Sequence, residues 1–155
     1  MSIKINYSKN TYGKTSANVI LFSGEKFNIN GLKKFLSKSE FLYINDLLKT
    51  IDLKKRIFVF ELNSKKKIIL ISIKNNSTLS DIEKLGGELY GRINFGKNAQ
   101  YFLISDSIES NHENFLGHFL HGLKLKSYEF KKYKTKKETR DILLNIVGKK
   151  NKPST

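Results

Sequence analysis

The 155-residue sequence predicts a layered α/β domain in which helices flank a mixed central sheet. Three observations predict it. Short runs rich in β-branched and aromatic residues alternate with longer segments of helical periodicity. The run Ile68-Ile69-Leu70-Ile71 is apolar at successive positions, as in a strand covered on both faces. Asn63-Ser64-Lys65-Lys66 separates two strand-like runs by a hairpin-sized connector, so part of the sheet is antiparallel.

In chain order, Ile3–Tyr7 alternates polar and apolar residues and reads as a strand, as does Asn18–Phe22. Between them, Gly13-Lys14-Thr15-Ser16 imitates the end of a phosphate loop but lacks the earlier glycine, and reads as a turn. Ser39–Lys49 places Phe41, Leu42, Ile44, Leu47 and Leu48 on a broad helical stripe. Arg56–Leu62 and Lys67–Ile73 are the two hairpin strands. Ser80 and Glu83 have the spacing of a capping box, after which Ile82, Leu85, Leu89 and Ile93 recur at helical spacing. Ala99–Ile104 is a further strand. Ser110 and Glu113 offer a second box, ahead of a helix with Phe115, Leu116, Phe119, Leu120 and Leu123 on one side. Asp141–Val147 is the last strand, and 149–155 reads as linker after a domain spanning 1–148.

Composition narrows the function classes. Apolar residues make up 39% and charged residues 28%, which places the chain among globular domains. Cysteine is absent, which excludes disulfides and thiolate metal sites and fits a reducing cytoplasm. No apolar run approaches the ~18 residues that span a bilayer, so no membrane partner is expected. The net charge of +15 raises the question of a polyanion. All 29 basic residues except Arg56, Arg92 and Arg140 are lysine, however, and dedicated nucleic-acid surfaces draw on arginine for bidentate contacts. Together with abundant Asn and Ile, this reads first as AT-rich coding bias and second as a binding surface.

Candidate chemistry is sparse. His118 and His121 lie three apart on the expected helix, with His112 shortly before, a spacing that can supply two ligands to zinc. Only Glu113 is near, and a site needs three or four ligands, so they read as surface histidines. Gly86-Gly87 with Gly91 falls inside a helix rather than before one. Close packing of that helix on the sheet is therefore expected, not a phosphate cradle. No serine sits in a nucleophile elbow, and the five aspartates are scattered one per segment. No catalytic residue is expected.

The densest feature is Leu123–Lys137, where Tyr128, Phe130 and Tyr133 alternate with lysines. One reading is a stacking and charge platform for single-stranded nucleic acid, with Lys131, Lys132, Lys134, Lys136 and Lys137 as the polyanion surface. The preferred reading is an irregular connection whose aromatics are pinned to the core while its lysines are solvated.

Gly122 followed by Ser127-Tyr128-Glu129-Phe130-Lys131-Lys132-Tyr133-Lys134-Thr135-Lys136 resembles the leucyl aminopeptidase family. In that family's N-terminal domain a helix and a glycine precede a Ser-Tyr-x-Phe-x-x-Tyr-Lys-Thr/Ser-Lys stretch. The signature positions here are Gly122, Ser127, Tyr128, Phe130, Tyr133, Lys134 and Lys136. Lys131 stands where the family often has Asp, so an ion pair made there is not carried over. The resemblance implies a macro-domain-like three-layer sandwich. It also implies a non-catalytic assembly domain within a hexameric, cytoplasmic enzyme that removes N-terminal amino acids from peptides. Two divalent metals, Mn or Zn, would sit in a separate catalytic domain carrying an Asn-Thr-Asp-Ala-Glu-Gly-Arg motif. That motif is not found here, and the chain reaches about where the interdomain helix is expected. Two alternatives remain: a module with weak DNA affinity through 124–137, and a macro-like domain for an ADP-ribose-type ligand.

Overall fold

The computed structural model describes residues 2–8, 18–24, 27, 29–33, 35–50, 55–61, 67–74, 78–93, 99–108, 114–133 and 141–147. Six strands, β1 (Ser2–Ser8), β2 (Asn18–Ser23), β3 (Ile57–Glu61), β4 (Lys67–Ser72), β5 (Ala99–Ile104) and β6 (Asp141–Val147), form one sheet. Three helices, α1 (Lys38–Leu48), α2 (Leu79–Arg92) and α3 (Phe115–Tyr133), accompany it. The expected turn at Gly13–Ser16, the hairpin connector 63–66 and the proposed Ser110–Glu113 box lie outside the described residues.

The strand order is β1-β6-β5-β2-β4-β3. Every neighbouring pair is parallel except β3–β4, which runs antiparallel with Ile57 opposite Ile71 and Glu61 opposite Lys67. The mixed sheet expected from the sequence is therefore present. Central strands covered on both faces cannot alternate polar and apolar residues. Accordingly Val19 through Phe22 and Ile68 through Ile71 are all buried.

Two cores lie on opposite faces of the sheet. On one face Ile20, Phe22, Ile69, Ile71, Tyr101, Leu103, Leu144 and Ile146 pack with α2 and α3. On the other, Val19, Leu21, Phe60, Ile68 and Leu70 pack with Ile44 of α1 and with Phe27, Ile29, Leu32 and Leu36. The strand period of two divides each strand's side chains between these cores. The result is a three-layer sandwich. Phe22 is the centre of the first core, edge-on to Phe115 and Phe119 at ring separations of 5.6 and 5.2 Å.

The helix starts differ from the sequence reading in instructive ways. α1 begins one residue early because Ser37, in extended conformation, accepts from the Glu40 amide while the Glu40 carboxylate accepts from the Ser37 amide. That is a capping box which the sequence reading overlooked. α2 begins with Thr78 and Asp81, not Ser80 and Glu83. The same spacing occurs twice in succession. The earlier pair wins because each cap lengthens the helix and closes two otherwise orphan donors.

α3 corrects the sequence reading further. Residues 124–133 continue the helix to Tyr133 and are not an irregular connection. Tyr128 does not anchor to the core, since 57% of its surface is exposed. The periodicity explains this: Phe115, Phe119, Leu120, Leu123 and buried Ser127 share the inward side. Tyr128 follows Ser127 by a single residue, about 100° around the helix.

The glycines of α2 also pack elsewhere than expected. A Cβ at Gly86 would collide with the Phe119 carbonyl of α3, and a Cβ at Gly122 would collide with the Glu83 carbonyl of α2. The close approach is thus helix to helix rather than helix to sheet. Glu83 meets Gly122 and Gly87 meets Lys126, one turn further along both helices, so α2 and α3 run parallel, as successive crossovers between the parallel strands β4, β5 and β6 require.

Candidate functional site

Four regions were singled out by residue type or are singled out by the structure. The first is the histidine pair on α3. His118 is half-exposed and His121 exposed, while His112 lies outside the described residues. Among the described residues no group of three or more His, Cys, Asp or Glu side chains converges on a point that could hold a metal ion. The residues described here therefore do not fit a dinuclear centre of the kind the resemblance implies for the catalytic domain.

The second is the carboxyl edge of the parallel strands, where open α/β sheets hold their ligands. Four buried serines gather there. The Ser23 hydroxyl donates to the Ile71 carbonyl at 3.3 Å, and the Ser72 hydroxyl donates to the Gly24 carbonyl at 3.1 Å. Ser105 donates to the Val147 carbonyl at 3.1 Å. Ser107 accepts from the Phe22 amide at 3.0 Å and donates to the Ile104 carbonyl at 2.6 Å. The pairing of β2 with β5 ends at Ile20 opposite Leu103, and Ser107 then takes over as acceptor for the Phe22 amide. These hydroxyls are engaged in closing strand ends. They give the ADP-ribose reading no observation in its favour. Isolated serines give no periodic signal, which is why the sequence did not mark them.

The third is the basic-aromatic stretch. Gly122 forms the α2–α3 crossing. Ser127 is buried, and its hydroxyl donates to the Lys124 carbonyl at 2.7 Å. Lys124, Lys126 and Tyr128 are exposed. Phe130, Lys131, Lys132 and Tyr133 fall within α3. Lys134, Lys136 and Lys137 lie outside the described residues. The segment is thus two things at once: a buried small-residue seam and an exposed cationic side.

The fourth is a surface groove between α2 and α3, which sequence reading missed entirely. Gly87 and Gly122 floor it, and Ser80, Lys84, Leu125 and Lys126 border it, with Glu83 and Glu88 also contributing. It exists because two glycines lack the side chains that would fill it. Glu88 is turned toward the sheet edge, where Arg56 of the β3 approach donates to its carboxylate at 2.9 Å. Both partners are partly exposed, so the pair contributes only ~0–1 kcal/mol. Asp81 at the start of α2 is held below the usual carboxylate range, first by the Thr78 backbone amide and then by the Thr78 side chain.

Comparison with known proteins places the fold. No family model matches the chain, and no curated protein matches it by sequence. Among solved structures, a mutant form of tomato leucine aminopeptidase aligns over 97% of this chain with a TM-score of 0.63 and 14% sequence identity. A Leishmania major leucyl aminopeptidase in complex with actinonin aligns over 94% of the chain at a TM-score of 0.45 and 9% identity. The chain spans 33% of the tomato protein's length and 29% of the other. The α/β fold of this chain is therefore one that also occurs as about a third of tomato leucine aminopeptidase.

Proposed function

We propose that this chain is the non-catalytic N-terminal accessory and assembly domain of a two-metal leucyl aminopeptidase. One observation carries the reading: nearly the whole chain, 97%, superposes on a third of an aminopeptidase. The Gly122–Lys136 signature supports it independently, and the structure gives its first residue a physical task at the α2–α3 crossing. In the intact protein the remaining two-thirds would supply the Mn or Zn pair and the hydrolysis of N-terminal peptide bonds. This domain would contribute to hexamer assembly and to access to the active site, in the cytoplasm.

The test has two arms. The 155-residue chain alone, given leucine amide and manganese or zinc, should show no turnover. Mixed with an aminopeptidase catalytic portion lacking its own N-terminal third, it should co-migrate with that portion by native mass. Turnover abolished by substitutions in this chain would overturn the reading, as would failure to associate.

A second reading, nucleic-acid binding through 124–137, gains one observation: Tyr128 is exposed beside exposed Lys124 and Lys126. A stacking platform requires that exposure. Affinity for single-stranded DNA that persists at raised salt and falls on Tyr128→Ala would favour it.

A further inference from the structure

We propose that the outer face of the α2–α3 pair docks on an anionic lipid bilayer. The charge pattern is the first ground. Residues Phe115–Tyr128 of α3 contain no carboxylate, and they present exposed His121, Lys124 and Lys126. On α2, Lys84 is exposed, and two of the three acids are already engaged. Asp81 accepts from the Thr78 amide in the helix cap, and Glu88 accepts from Arg56 at the sheet edge. Glu83 lies within the groove, with its backbone under Gly122. The net charge of +15 disfavours a second copy of the chain as occupant and favours an anionic one.

The apolar side chains on the same face select the kind of anion. Leu125 and Tyr128 expose 45% and 57% of their surfaces. Leu125 and Tyr128 lie about one turn apart on α3, and Lys126 between them stands beside Gly87 of α2. Leucine beside tyrosine, ringed by lysines, is the composition that rests at a headgroup boundary, with rings and alkyl groups inward and ammonium groups outward. Leucine has no comparable partner on a phosphate backbone. The shape agrees. Two helices packed through glycine present a face about 18–20 Å across, too broad to enter a DNA major groove about 12 Å wide. A membrane-spanning run is not required for such one-sided contact.

Sedimentation of the full chain with lipid vesicles tests this. Vesicles of phosphatidylcholine mixed with phosphatidylserine should carry the protein down, and vesicles of phosphatidylcholine alone should not. Lys84→Gln, Lys124→Gln and Lys126→Gln should each weaken binding roughly fivefold. Leu125→Ser and Tyr128→Ser should reduce the binding that survives raised salt, with unchanged melting temperature as the control for folding. If Tyr128→Ser melts early, Leu125→Ser carries the same comparison. No binding to the anionic vesicles overturns the proposal, as does binding indifferent to all five substitutions. Tighter binding to a DNA duplex than to vesicles, unchanged by Leu125→Ser, assigns the face to nucleic acid and also overturns it.

Discussion

Replacing single glycines by alanine should change stability with opposite sign at positions that look alike in sequence. Gly86, Gly91 and Gly122 all lie inside helices. On helix propensity alone, alanine would stabilise each by ~1 kcal/mol. At Gly91 nothing lies within 4 Å of the new methyl group, so that gain should appear undiminished. At Gly86 and Gly122 the methyl group meets a backbone carbonyl of the facing helix, which cannot rotate aside as a flexible side chain does. The helices must separate. Separation also loosens Phe119 and Leu123 of α3, which are both fully buried in the core against the sheet. Overpacking of this kind costs about 1–3 kcal/mol and more where backbone must shift. A net loss of about 2 kcal/mol or more is therefore expected after the propensity gain is subtracted. For a domain of this size 1 kcal/mol corresponds to about 2–4 °C. Gly91→Ala should thus raise the melting temperature by about 2–4 °C, while Gly86→Ala and Gly122→Ala should lower it by about 4–8 °C or more. Thermal denaturation followed by circular dichroism reads all three. A rise at all three positions would show that the α2–α3 crossing is looser than described. A fall at Gly91 would show that its open face is occupied.

Four further outcomes follow from the packing and the α2 cap. Ser107→Ala should cost about 1–3 kcal/mol by leaving the buried Phe22 amide without its acceptor. Denaturant titration measures the loss, and hydrogen exchange should show it centred on Phe22. Thr78→Ala should cost about 1 kcal/mol through the lost α2 cap. For Asp81 the folded carboxyl is held below its ordinary value, so its contribution is present above about pH 4 and is lost as pH falls through the lower folded value. The gap in stability between wild type and Asp81→Asn should accordingly close toward acid pH, and a gap that stays constant refutes the linkage. Tyr128→Ala should change stability by no more than about 0.5 kcal/mol, against about 3–5 kcal/mol for Phe119→Ala; comparable losses at both would restore Tyr128 as a core anchor.

Much of this architecture is legible in the sequence because its signals are periodic. The unbroken apolar run at Ile68–Ile71 marks a strand covered on both faces, and both faces are in fact covered. The spacing of Ile82, Leu85 and Leu89 marks the buried side of α2. Where the reading fails, two local patterns compete or a decisive partner is distant in sequence. Thr78–Asp81 and Ser80–Glu83 carry equivalent capping spacings, and the first, which starts the helix two residues earlier, is the one used. Gly86 could have packed on sheet or helix, and the choice rests on Phe119, 33 residues later. The serines at the strand ends and the groove between α2 and α3 arise wholly from such distant pairings.

The stretch after Gly122 shows the same limit from the functional side. Its aromatics and lysines were read as a unit because they are contiguous, yet a helix assigns contiguous residues to different environments. Ser127 goes to the core and Tyr128 to solvent. A sequence signature there can be maintained for two separable reasons: Gly122 and Ser127 for the seam between α2, α3 and the sheet, and the exposed residues for whatever meets the outer face. The two reasons predict different variants. Gly122→Ala should reduce stability and leave any surface affinity intact in the protein that remains folded. Lys124→Gln should do the reverse. If both substitutions moved stability and binding together, seam and surface would be one site, and the contiguous reading would have been the correct one.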